Sequence, residues 1–197
     1  MEMMRTTPEI RLSDQERNTL LRIARESISA AVSKSPLPEI DLEKQPPALQ
    51  AHGASFVTLT KNGGLRGCIG TMEPYQPLII DVQEHAIAAA LSDHRFPPLV
   101  EKELDGITIE ISRLTPLQKL QYNGGDQLLK SFRVGEDGVL ISAGGRRATF
   151  LPQVWEQLPQ PDEFLSHLCQ KMGAAPDCWK DQGLEVYTYQ VEKFCEK

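Results

Sequence analysis

Apolar residues recur at helical spacing in three stretches of the chain. The first stretch follows residues 13–16, whose Ser-x-x-Glu pattern is typical of a capping box, and it ends before Pro36. A second helix is predicted over residues 77–91, because Pro77 suits a first helical turn. A third is predicted over residues 161–172 and is closed by Gly173.

Alternating apolar and polar residues predict strands between these helices. Residues 55–60 lead through Asn62-Gly63 into residues 65–70, and Asn-Gly is a strong hairpin signal. We also predict a strand at 107–112, an edge extension at 114–120, a second hairpin at 138–151 and a final strand at 184–194. Residues 36–47 form a surface connection, and 46–49 are expected to be extended. Hairpins with helices between them indicate an α+β fold with a mainly antiparallel sheet.

The hexapeptide LRGCIG, residues 65–70, carries the most informative chemistry. Strand alternation predicts that Leu65 and Ile69 face the core, while Arg66 and Cys68 share the opposite face. A guanidinium beside a thiol favours thiolate, the reactive form of cysteine, so Arg66→Ala is expected to slow Cys68 alkylation. The alternative is a tightly packed strand with a small, buried and inert cysteine.

Glycines flank this cysteine on both sides. Gly67 and Gly70 remove side-chain bulk, so another backbone or a ligand could approach closely. The sequence by itself leaves both readings of the two glycines open.

Several motifs together carry a family resemblance. The run LRGCIGT, a proline-containing loop, a helix and then Arg95-Phe96-Pro97-Pro98-Leu99 resemble the AMMECR-type domain family, and the likeness extends through residues 103–112, 135–139, 149–154 and 164–173. It covers nearly all of the chain from Ser13 onward. The resemblance implies one domain over residues 1–197, structured from about 13 to 195, with a larger and a smaller subdomain. It implies no particular reaction.

The resemblance also implies partners, and the residues around the motif suggest a site. Prokaryotic members include a component of the AmmeMemoRadiSam system, which implies a Memo-like protein and a radical-SAM enzyme as companions. The candidate catalytic residues are Cys68 and, more weakly, the loop residue Glu73. The candidate binding residues are Arg66, Gly67, Gly70, Asp93 and Arg95.

Two of these assignments have structural alternatives. Asp93 and Arg95 either line a cleft with Cys68, or Asp93 caps backbone donors at a helix end and Arg95 pairs with it. A Cys68–His85 pair would suit nucleophilic catalysis. We favour instead a solvated or capping His85, since the family resemblance places other residue types at 85 and 94.

No metal or organic cofactor is expected from the ligand pattern. His167 and Cys169 lie two apart on a predicted helix and diverge by roughly 200°, so they do not form a site with Cys178. The run Gly144-Gly145-Arg146-Arg147 lacks the strand–loop–helix context of a nucleotide site and is better explained as a hairpin turn.

Composition narrows the function classes. The chain has 197 residues and a formal net charge of −6, which argues against strong nucleic-acid binding. No apolar run approaches the ~20 residues of a spanning helix, and residues 1–5 begin no apolar secretory segment. We therefore expect a cytoplasmic protein with reduced thiols and no membrane partner. Three hypotheses remain for its function: an enzyme or enzyme component, a non-catalytic binding or scaffold module, and an RNA-associated regulator. The partner or substrate is an unknown small molecule or macromolecule.

Overall fold

A computed structural model describes residues 11–181 and 183–196, so the expectation about the first few residues lies outside the described part. The chain divides into two compact units. Unit 1 contains the described residues up to Arg113 and those from Glu192 onward, and unit 2 contains Leu114–Val191. Helices combine with mainly antiparallel sheets, which confirms the α+β prediction. In the described residues no helix is long and apolar enough to cross a membrane.

The helices and strands follow one another in this order. The first part of the chain contains α1 (Asp14–Val32), α2 (Pro47–Gln50), β1 (His52–Lys61), β2 (Gly64–Gly70), β3 (Gln76–Pro77), α3 (Leu78–Leu91) and β4 (Ile107–Leu114). The remainder contains β5 (Gln118–Lys119), α4 (Gly125–Leu129), β6 (Gly138–Ala143), β7 (Arg146–Phe150), α5 (Pro161–Lys171), β8 (Glu185–Tyr189) and β9 (Val191–Cys195).

The predicted capping box starts α1. The Glu16 amide donates to Ser13 Oγ at 3.3 Å, and Glu16 Oε2 accepts from the Ser13 amide at 2.7 Å. Residues 36–47 are exposed or half-buried, in agreement with a surface connection. The expectation of an extended segment at 46–49 is wrong, because Pro47 occupies the first turn of α2, where a missing N–H costs no hydrogen bond.

Unit 1 is built on one sheet with the strand order β2-β1-β4-β9, and β3 also pairs with β1. The β1–β2 hairpin turns through Asn62 and Gly63, whose φ angles of 51° and 79° suit a type I′ turn. One hydrophobic core unites the buried faces of α1, α3, β1 and β4.

The last strand of unit 1 is tied to its first helix by two carboxylates. Glu192 Oε1 accepts from the Leu12 amide at 3.2 Å and from Arg17 Nη2 at 2.7 Å. Glu196 pairs with Arg25 and accepts from the Ile109 amide at 3.0 Å. The residues from Glu192 onward therefore complete unit 1.

A β-bulge corrects the predicted alternation in β2. Leu59 lies opposite Gly67 but Thr60 lies opposite Leu65, so Arg66 is an extra residue on β2. The extra residue reverses the facing of the residues before it. The prediction that Leu65 faces the core is wrong, since Leu65 is 46% exposed.

Unit 2 has a second sheet with the strand order β5-β8-β6-β7. The predicted β6–β7 hairpin is confirmed, and its turn uses Gly144 and Gly145 at φ 56° and 77°. In its core, the rings of Trp155 and Phe164 stack with centroids 3.7 Å apart.

The predicted final strand, 184–194, is two strands in different sheets. β8 ends at Tyr189 and pairs in unit 2, whereas β9 pairs in unit 1. At the break, the Gln190 amide donates to Thr115 Oγ1 and the Thr115 amide donates to the Gln190 carbonyl, each at 2.8 Å. The predicted edge extension at 114–120 likewise belongs to both sheets, with β5 in unit 2.

A disulfide joins Cys169 to Cys178, so the expectation that all four cysteines are free thiols is wrong. Gly173 ends α5 at φ 77° and reverses the chain, which brings Cys178 back to Cys169 on the helix. Helical periodicity could not foresee this return. Cys68 and Cys195 remain as free thiols.

Candidate functional site

The two sequence motifs of the first unit meet at β2. The segment after α3 carries Asp93 and Arg95, and both side chains reach Cys68 on that strand. The Cys68 amide donates to Asp93 Oδ2 at 2.8 Å, and Arg95 Nη2 donates to the Cys68 carbonyl at 3.3 Å. Residues 27 positions apart in sequence are thereby joined into one surface.

Asp93 accepts most of the hydrogen bonds in this contact. It is buried, and it accepts from Arg95 Nε at 2.9 Å, from Arg95 Nη2 at 2.6 Å and from the Arg95 amide at 3.1 Å. Hydrogen bonds hold the pKa of Asp93 well below its usual range. Those from the Arg95 side chain have the largest effect, and the one from the Cys68 amide has the next largest. Asp93 is therefore a carboxylate at neutral pH, and it makes the structural contacts expected of a backbone cap.

Arg66 is held by a residue that the sequence patterns did not single out. Glu103 accepts from Arg66 Nε at 3.2 Å and Nη2 at 3.0 Å, and also from Lys61 Nζ at 3.0 Å. The Phe96 ring lies 6.0 Å from the Arg66 guanidinium carbon and 5.6 Å from that of Arg95. Glu103 lies within the stretch of family resemblance, which was the one available signal for it.

Acid should weaken the fold through Glu103. Hydrogen bonds from Arg66, which has the larger effect, and from Lys61 lower the pKa of Glu103 from 4.5 to about 2. A lowered pKa in the folded state stabilises the fold fully above pH 4.5, and this stabilisation is lost as the pH falls toward 2. Urea midpoints measured from pH 6 to 2 should therefore fall less steeply for Glu103→Gln than for the wild type. Parallel curves would show that Glu103 does not contribute.

The Cys68 side chain is half-exposed, and the hydroxyl of Thr58 on β1 donates to its sulfur at 3.3 Å. Arg66 is engaged with Glu103, so the cation that contacts Cys68 is Arg95, through the Cys68 carbonyl. The sequence had assigned that electrostatic role to Arg66.

The two motif glycines accommodate the protein's own backbone. A Cβ on Gly67 would overlap the carbonyl oxygen of Ala89 in α3 and lie 3.1 Å from its carbonyl carbon. A Cβ on Gly70 would overlap the Ser55 carbonyl oxygen and Phe56. Both glycines thus allow close packing of β2, the first of the two alternatives left open by the sequence.

His85 lies in a buried polar cluster. Its Nδ1 is 3.2 Å from Asp81 Oδ2 without forming a hydrogen bond, and Ser55 Oγ donates to the same oxygen at 2.6 Å. Cys68 hydrogen-bonds with Thr58, Asp93 and Arg95, and within the described part of the chain no hydrogen bond joins it to His85. His85 is buried, so the expectation of a solvated or capping histidine is wrong.

Glu73, the weaker catalytic candidate, is exposed in the loop after β2. Its amide donates to Thr71 Oγ1 at 3.1 Å. Over residues 11–181 and 183–196, no group of three or more His, Cys, Asp or Glu side chains is arranged to hold a metal ion.

Comparison with known proteins places the whole arrangement in one family. The AMMECR1 family model matches residues 21–194. The chain belongs to the AMMECR1 family. It is 41% identical over 193 residues to a protein of Methanothermobacter thermautotrophicus, covering 94% of this chain and 96% of the relative. It is 38% identical over 165 residues to protein MJ0810 of Methanocaldococcus jannaschii, covering 80% of each.

A solved structure has the same fold. The crystal structure of the uncharacterized protein PH0010 from Pyrococcus horikoshii matches with a TM-score of 0.76 and 33% identity, covering 94% of each chain. The AMMECR1 match includes residues of both units of this chain.

Proposed function

We propose that this AMMECR1-family protein is a cytoplasmic enzyme or enzyme component that acts through the surface around Cys68. The companions implied by its family resemblance are a Memo-like protein and a radical-SAM enzyme. The substrate would be a small molecule or a macromolecule other than nucleic acid, because the net charge of −6 disfavours nucleic-acid binding.

The Cys68 side chain is the observation that carries this proposal. Packing against Ala89 explains Gly67, the ion pair with Glu103 explains Arg66, and contact with the core explains Ile69. The half-exposed thiol of Cys68 serves none of these structural purposes. A half-exposed thiol on a paired strand, held by one hydrogen bond from the Thr58 hydroxyl, is suited to bind or attack an electrophilic group.

A non-catalytic ligand-binding or scaffold module is the second candidate. The ion pairing of both guanidiniums favours it, because Arg66 is neutralised by Glu103 and Arg95 by Asp93. Neutralised cations stabilise a neighbouring thiolate less than free ones do. The same exposed thiol would then contact a ligand without reacting.

Competitive alkylation separates these candidates. In this reaction the thiolate sulfur bonds to the iodoacetamide carbon and iodide leaves. Cys195 is exposed and Cys68 only half-exposed, so accessibility alone predicts faster labelling of Cys195. We expect Cys68 to label faster, by about tenfold at pH 7, as an activated thiolate would. Mass-spectrometric mapping after brief, substoichiometric treatment gives the ranking.

Two arginine variants supply the matched controls. Arg95→Ala should slow Cys68 labelling severalfold, whereas Arg66→Ala should slow it less because Arg66 is bound to Glu103. Unfolded, unreduced protein should label only at Cys68 and Cys195. Preferential labelling of Cys195 in the folded protein would reject the hypothesis that Cys68 is an activated nucleophile. It would favour the non-catalytic binding module.

A further inference from the structure

Cys68 lies on the outer edge of β2, where another strand could pair. Among the described residues β2 pairs only with β1, and Cys68 lies opposite Thr58. Antiparallel pairs alternate between those that share hydrogen bonds and those whose amide and carbonyl point outward. The Cys68 amide and carbonyl point outward, since they bind Asp93 and Arg95 instead of β1.

The Asp93–Arg95 pair supplies the two groups that a neighbouring strand would supply. The Asp93 carboxylate accepts the Cys68 amide proton, and the Arg95 guanidinium donates to the Cys68 carbonyl. Two further hydrogen bonds between the Arg95 side chain and Asp93 hold the pair in shape. The bulge at Arg66 interrupts the same edge two residues earlier. Charged groups and bulges at an edge are established protections against strand addition.

We propose that the Asp93–Arg95 ion pair is a guard that prevents β2 from pairing with β2 of a second copy of this chain. The second copy is the natural occupant because an antiparallel edge is complementary to itself. A two-fold axis at Cys68 would place the amide of each Cys68 against the carbonyl of the other. Leu65, 46% exposed on the same strand, would add apolar contact.

Opening the guard should produce dimers centred on Cys68. We expect Asp93→Ala/Arg95→Ala to show a concentration-dependent doubling of mass by light scattering at concentrations where the wild type does not change. Directly opposed residues have Cβ atoms about 5 Å apart, so a short bismaleimide should link two Cys68 thiols. Each thiolate adds to one maleimide double bond, and the carbon beside the new C–S bond takes up a proton. Cys68→Ser should abolish the linked dimer, and Cys195→Ser should not.

A matched control removes a different ion pair. Arg22 and Glu26 form an exposed pair on α1, with 2.8 Å between Nη1 and Oε2, and Arg22→Ala/Glu26→Ala should leave the mass unchanged. Hydrogen exchange at the Cys68 amide, measured at concentrations too low for the variant to dimerise, reports whether the guard has opened, and it should quicken by about tenfold. Faster exchange in a folded variant whose mass equals that of the wild type would overturn the proposal, as would unchanged exchange.

A second variant keeps the test decisive if the double variant does not fold. The Arg95 side chain is 46% exposed, so Arg95→Ala removes little packing and frees only the Cys68 carbonyl. This single variant should dimerise more weakly, with the same dependence on Cys68 for crosslinking. If it is folded and its mass at every concentration equals that of the wild type, the guard role is rejected.

Discussion

Gly67→Ala should destabilise unit 1 by about 3 kcal/mol, the upper part of the range for overpacking a well-packed site. The new methyl would overlap the carbonyl oxygen of Ala89, which belongs to the helix backbone and cannot rotate away as a side chain would. Either α3 or β2 must therefore move, and each of them packs in the core of unit 1.

The same strand supplies the control for this substitution. A Cβ on Gly64 would lie 3.5 Å from the Lys61 carbonyl, an ordinary contact, so Gly64→Ala should change stability by less than about 0.5 kcal/mol. Urea unfolding should be followed by circular dichroism, because both tryptophans, Trp155 and Trp179, lie in unit 2. Equal losses for the two variants would contradict the overlap with α3.

Removing His85 should also be costly, at about 3 kcal/mol for His85→Leu. Asp81 is fully buried, and the His85 imidazole lies beside it, with 3.2 Å between His85 Nδ1 and Asp81 Oδ2. Without the imidazole, Asp81 Oδ2 retains the Ser55 hydrogen bond, while Asp81 Oδ1 has no hydrogen-bond partner in the described structure. Breaking one side of a buried pair leaves an uncompensated polar group, which costs more than replacing the whole pair.

A double-mutant cycle tests this account. The loss in free energy of unfolding for Asp81→Leu/His85→Leu should be smaller than the sum of the losses for the two single variants. The difference should be about 1 kcal/mol or more, which is typical of residues that contact each other. Denaturant unfolding at pH 7 gives the three differences. Strict additivity would mean that Asp81 and His85 contribute independently and that the buried pair is not an energetic unit.

Local signals predicted the elements that local chemistry controls. The Ser13–Glu16 capping box and the Asn62-Gly63 turn each need only a few neighbouring residues, and both are present where expected. The facing of Leu65 depends on a bulge, which shifts alternation by one residue without leaving a pattern in the strand itself. The strand prediction therefore succeeded while the facing of that residue failed.

The site was predictable in its residues but not in their partners. Asp93, Arg95 and Cys68 were singled out together, and they do form one contact network. The engagement of Arg66 by Glu103 depends on a long-range contact between residues 37 apart. The Cys169–Cys178 bridge similarly depends on chain reversal at Gly173, which helical periodicity does not report. Long-range pairing is thus the information that a single sequence withholds.

The return of the chain to unit 1 has a consequence for biosynthesis. A ribosome releases the whole of unit 2, Leu114–Val191, before it releases the carboxylates that bind α1. Until Glu192 and Glu196 emerge, Arg17 and Arg25 lack these two carboxylates and β4 lacks its outer neighbour β9. Domains generally fold as units during synthesis. Unit 2 can therefore fold first, and unit 1, although most of it is synthesised earlier, is completed last.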